Sequence, residues 1–169
     1  HRQNPIPRII KGIKNFALIY DQTGFNFKDK RILELGTGWH GIDLILFRLM
    51  DAKKIYTIDQ HNHLKYENII TQLDSLVKDE CLNELKRFNV LKENVLELRR
   101  VAKKCTNLDE ILDLLRVKYF IARPKKISKL DLEFHSIDLF YSESVLQRIP
   151  ENDLKNMIEH IASKILAKN

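Results

Sequence analysis

Three of the five glycines in the chain, Gly36, Gly38 and Gly41, crowd one short stretch, ILELGTGWHG, in which they follow an apolar run carrying an acid, Glu34. Glycine lets a backbone turn tightly, and it lets a ligand approach where a Cβ would stand in the way. The spacing is G-x-G-x-x-G, and a second acid, Asp59, follows roughly 20 positions later at the end of the next apolar run. A carboxylate so placed accepts hydrogen bonds from a ribose diol. Turn and acid together ask for a ligand with a nucleoside part. A dinucleotide would set its pyrophosphate on the N-terminus of the helix after the glycines. Here Trp39, His40 and Asp43 bring bulk and negative charge to that place, and Glu34 suits a cation better than a phosphate.

The elements that must hold these residues can be read from periodicity. Ile9, Ile13, Phe16 and Ile19 or Tyr20 recur at helical spacing and predict an amphipathic helix over 8–20. A short buried strand is predicted over 31–35, an apolar helix over 42–50, and a β-rich strand over 54–58 that stops at Asp59. From His61 to about Arg116 leucines and valines recur with charges between them and no good strand, which predicts a helical insertion. Strands return at 117–122, closed by Pro124, and at 137–142. A last helix is predicted over about 151–168, with Pro150 before it and Glu151 and Asp153 in its first turn. This β/α alternation predicts a single α/β domain over 1–169. Its core is a Rossmann-like parallel sheet of about four strands, flanked by helices, with the insertion between strands two and three.

Three separate stretches resemble the class I S-adenosylmethionine-dependent methyltransferases. Glu34-Leu35-Gly36-Thr37-Gly38 is similar to that family's first motif and Asp59 to the acid of its second. Residues 137–149, IDLFYSESVLQRI, resemble its strand-four pattern DLVxSxxVLEHI. The resemblance implies a Rossmann-like fold, S-adenosyl-L-methionine as cofactor and methyl transfer as the activity. It implies that backbone at Gly36, Thr37 and Gly38 cradles the methionine part and that Glu34 orients it directly or through water. Asp59 would hold the ribose hydroxyls, with Gln60 beside the adenine. Ala122 or Arg123 stands at the position after strand three that touches the adenine amino group, and Ser142 and Glu143 would line the cleft near the reacting methyl. This cofactor has a ribose, an ammonium and a sulfonium but no phosphate, in keeping with the acids at 34 and 43. The family differs at two points: Arg148 stands where it commonly has histidine, and its sheet usually has seven strands. No sequence follows Asn169 to form the last three, so a truncated or an abbreviated fold is expected.

Methyl transfer is an in-line displacement in which a protein contributes mainly alignment. A base helps only where the acceptor must lose a proton. Glu143 is the best-placed carboxylate, with a solvated helix-start acid as its plainer role. His40 faces the cofactor or an acceptor, or packs beside Trp39, and His61 and His63, lacking a third ligand, read as surface histidines rather than a metal pair. No catalytic residue is assigned. The Asn/Asp-Pro-Pro-aromatic motif of amino-methylating nucleic-acid enzymes is absent, and no cysteine follows a strand as carbon methylation would require. By elimination the acceptor is an oxygen or nitrogen of a small molecule or sugar, and nucleic acid is not expected. Two rival readings remain: an NAD-dependent oxidoreductase, served by the same glycines, and a non-catalytic nucleoside-binding or interaction module.

With 44% hydrophobic and 31% charged residues among 169, the composition is that of an ordinary globular domain. No apolar run approaches the roughly 18 residues of a membrane span, and HRQNPIPRII lacks a signal-peptide core, so a cytoplasmic location is expected. Cys81 and Cys105 sit in no CxxC, which argues against a zinc site or a disulfide scaffold. The net charge of +6 reads as a solvated surface, because bases and acids interleave along the chain.

Overall fold

The computed structural model describes residues 4–130, 132 and 135–166, with 124 and 125 described by backbone alone. In chain order the elements are α1 (Ile6–Thr23), β1 (Arg31–Leu35), α2 (Ile42–Leu49), β2 (Lys54–Asp59), α3 (Tyr66–Leu76) and α4 (Asp79–Leu85). They continue with α5 (Lys92–Ala102), α6 (Leu108–Leu114), β3 (Val117–Ile121), β4 (Leu139–Ser142) and α7 (Glu151–His160). The four strands form one sheet in the order β3-β2-β1-β4, and every pair is parallel. Parallel neighbours need crossovers, and helices supply them over both faces of the sheet.

Strand side chains alternate between these faces. Ile32, Ile55 and Val117 join the core made with α1, α2 and the insertion helices, whereas Leu33, Leu35, Tyr56 and Ile58 join the one made with α7 and the 3-10 turn Pro124–Lys129. Phe16 of α1 ties the first core together: its ring lies 4.6 Å from Phe47 of α2 and 5.2 Å from Tyr141 of β4. The insertion is helical throughout, with a 3-10 turn at Lys86–Phe88 between α4 and α5.

Two boundaries differ from expectation for one reason. The fourth strand starts at Leu139 rather than 137, and the last α-helix stops at His160. The chain then makes a π-helical turn, Ile161–Ile165, which leaves carbonyls free to bind outside the helix. Lys164 O and Ile165 O accept the N–H groups of His135, Ser136 and Ile137, and Ile137 forms a parallel bridge to Leu166. Asp138 meets β1 through both its backbone and its side chain, its N–H donating to Arg31 O at 2.9 Å and its carboxylate accepting the Arg31 N–H at 2.8 Å. Among the described residues no helix is long and apolar enough to cross a membrane.

Candidate cofactor site

The parallel register sets a polar row across the carboxyl end of the sheet. Glu34 pairs with Thr57 on one side and Tyr141 on the other, and Thr57 pairs with Tyr119. All four therefore project toward the α1 and α2 face. Glu34 is only 2% exposed and accepts a hydrogen bond from the Thr57 hydroxyl, which also meets the hydroxyl of Thr37 in the glycine turn. Burial, followed by the charge of Asp43, pushes the Glu34 carboxyl up to about 8. Asp43, in the first turn of α2, is pushed up to about 7 by burial and then by Glu143. Its Oδ1 is sealed from solvent and has no hydrogen-bond partner. That oxygen faces Gly12 of α1, where a Cβ would lie 3.3 Å away. Glu143 follows β4 and pairs with Lys11 of α1 at 2.6 Å. Tyr141 lies within the same field, its hydroxyl held protonated by burial and by Asp43 and Glu143. The result is a cluster of carboxylates in low dielectric with Lys11 as its counter-charge, a place that favours a cation.

The glycine turn lies over this row. Gly36 has φ 99 and its N–H donates to Ile58 O at 2.8 Å. A Cβ there would stand 2.1 Å from Val145 Cγ2, so the chain after β4 packs on Gly36 itself. Gly38, at φ 64, has open space where its Cβ would be, and it is the glycine that leaves room for a ligand. Gly41 also has positive φ and would meet Leu64 at 2.8 Å, a packing requirement of the insertion.

Of the expected site residues, Glu34, Thr37, Gly36, Gly38, Asp59, Ser142 and Glu143 converge at this end of the sheet. Asp59 holds the turn, accepting the Gly38 N–H at 2.8 Å and the His61 N–H at 3.1 Å. Each oxygen keeps a lone pair for a further donor. Ser142 turns inward to donate to Leu35 O at 3.0 Å. Gln60 and Arg123 are exposed at the ends of β2 and β3, and Arg123 follows Ala122, whose N–H donates to Asp59 O at 2.9 Å. Trp39 stacks on His63 and not on its neighbour His40, with ring centroids 4.2 Å apart. His40 lies against Gln72 of α3, and burial followed by Arg8 lowers its basicity. No group of three or more His, Cys, Asp or Glu among the described residues is placed to hold a metal. Thr57, Tyr119 and Tyr141 were not legible as site residues; of these only Thr57, a hydroxyl inside the apolar run KIYTID, gave a signal in the sequence, and for Asp43 the structure adds the unpartnered oxygen. A separate cleft of about 980 Å³, lined by Phe27, Arg48, Asp51, Phe88 and Leu98, opens at the opposite end of the strands.

No protein-family model matches the chain, and no curated protein matches it in sequence. Among solved structures it is similar to a crystal structure of a Methanococcus maripaludis protein assigned as an S-adenosyl-L-methionine-dependent methyltransferase. The two share 14% sequence identity and a TM-score of 0.52, over 99% of this chain and 54% of the other. This chain thus spans about half the length of that protein. At such identity the likeness is one of fold, and the chain has the Rossmann-like α/β architecture of that structure.

Proposed function

We propose that the chain binds S-adenosyl-L-methionine at the carboxyl end of its sheet and serves methyl transfer to an oxygen or nitrogen acceptor. The observation that carries this reading is the buried pair Glu34 and Asp43, with the Asp43 Oδ1 left without a donor, beneath a turn that is open at Gly38. A cationic ligand would let both carboxylates ionise, whereas a pyrophosphate would oppose their ionisation, which favours this cofactor over a nicotinamide one. When bound, this cofactor supplies a methyl group already activated by a sulfonium.

The residues present fit such a group. Glu34 and Asp43 would face its positive charges, Asp59 would accept from the ribose, and the Gly38 backbone would lie against the ligand. Glu143, held by Lys11, is the carboxylate nearest the end of β4 and would take a proton from an acceptor that must lose one. Cys81 and Cys105 both lie in the insertion, so among the described residues no thiol at the cluster supports carbon methylation.

Calorimetric titration with S-adenosylmethionine, S-adenosylhomocysteine and NAD tests the proposal. The expected result is binding of the first two but not NAD, with Glu34→Gln weakening the sulfonium form roughly tenfold, the order of one lost charged hydrogen bond. Binding of NAD alone, or of none of the three, would sink it.

A further inference from the structure

Two stretches of the chain hold bases and no acid. Residues 60–65 and 117–130 contain six cations, Lys65, Lys118, Arg123, Lys125, Lys126 and Lys129, and no acid, so they account for the whole excess of 29 bases over 23 acids. The sheet brings the two stretches together. Asp59 at the end of β2 is opposite Ile121 at the end of β3, and the Tyr119 hydroxyl donates to His61 O at 3.1 Å. Lys65, Arg123, Lys126 and Lys129 are exposed. Five of the six already lie in the run 117–130; parallel pairing of β2 with β3 adds Lys65 beside it, and Arg123, Lys126 and Lys129 follow β3 at the carboxyl end of the sheet, whereas Lys118 lies earlier in the strand, opposite Tyr56.

Ring faces lie just beyond the end of β2, in the segment that leads to Lys65. Trp39 is 53% exposed and stacks nearly parallel on His63, at an interplanar angle of 13°, and His63 lies 5.2 Å from His61. An indole covered on one side and open on the other offers a flat face to a second ring. Cations that follow a phosphate backbone beside aromatics that stack bases are the combination by which proteins hold unpaired nucleic-acid strands.

We infer that this rim binds single-stranded nucleic acid, with Arg123, Lys126 and Lys129 on phosphates and a base on the open face of Trp39. An anionic membrane would use the cations equally but would leave the ring stack without a role. The missing Asn/Asp-Pro-Pro-aromatic motif concerns exocyclic amines as methyl acceptors and does not bear on this surface. Nor does the surface rest on the cofactor reading: neither Glu34 nor Asp43 takes part, and Arg123 alone is shared with the expected cofactor residues.

Trp39 is the only tryptophan in the chain, so its fluorescence reports on this surface directly. The protein is titrated with short oligo-dT and oligo-U, with heparin as a polyanion without bases, and with phosphatidylglycerol vesicles. An oligonucleotide is expected to quench Trp39, and the stronger of the two quenchers distinguishes DNA from RNA. In the triple variant Arg123→Gln/Lys126→Gln/Lys129→Gln, the slope of log K against log salt should become shallower by about 2, near 0.7 for each phosphate no longer neutralised. Trp39→Ala, followed by anisotropy of a labelled strand, should weaken binding roughly tenfold, the order of one base stack removed. The inference is overturned if neither oligonucleotide binds, if heparin binds as tightly and the strands leave Trp39 unquenched, if only vesicles bind, or if the triple variant keeps both affinity and slope. Binding of S-adenosylhomocysteine to the unaltered protein, measured separately, tests the cofactor reading on its own.

Discussion

Glu34 is a carboxylate that folding forces out of water. Its proton is held more tightly in the folded than in the unfolded chain, so its contribution to stability is full below its ordinary value near 4.5 and is lost as pH rises through about 8. Asp43 acts with the same sign over a window that ends near 7. Urea midpoints should therefore fall from pH 5 to pH 8, and Glu34→Gln should flatten that fall by on the order of 2 kcal/mol. A midpoint profile identical in the two proteins would mean that the carboxylate is solvated. Gly36 makes a different demand, because a side chain there would need φ 99 and the space of Val145. Gly36→Ala should cost roughly 2–4 kcal/mol from strain and overpacking together, whereas Gly24→Ala, with nothing within 4 Å, should cost only the strain of its positive φ, about 1–2 kcal/mol. Equal losses in chemical denaturation would refute this reading of Gly36.

α1 is the element that joins site and core. It brings Lys11 to Glu143, sets Gly12 against Asp43, and plants Phe16 between Phe47 and Tyr141. Phe16→Ala should lose about 3–5 kcal/mol, as other large core aromatics do, and should loosen the site with it. Hydrogen exchange would show this as lost protection in both α1 and the glycine turn. Protection lost in α1 alone would separate the two. The strands β1 and β2, α1 and the helical insertion were legible because apolar periodicity and glycine punctuation are local properties. The early end of α7 was not, since a distant segment, His135–Ile137, claims its carbonyls. The polar row was hidden for a related reason: register decides that Glu34, Thr57, Tyr119 and Tyr141 share a face, and a single chain read in order does not show register.

For the molecule as a whole, a ligand that binds only the folded chain raises its stability by mass action. At 100 times its dissociation constant, S-adenosylmethionine should add about 2.7 kcal/mol in thermal denaturation. Because it also supplies the charge that the carboxylates lack, the gain should be larger at pH 8 than at pH 5; a gain independent of pH would place the ligand away from Glu34. Time enters through the strand order. β4, last of the described strands, lies beside β1, the first of them, and the Ser142 hydroxyl reaches Leu35 O across 107 positions. A chain leaving the ribosome therefore carries its glycine turn and one bare edge of β1 until the residues that cover them, 107 positions further on, have been made. An unpaired parallel edge invites wrong partners. The hazard for this protein is greatest while it is being made, and a chain arrested before Leu139 should depend on chaperones to stay in solution.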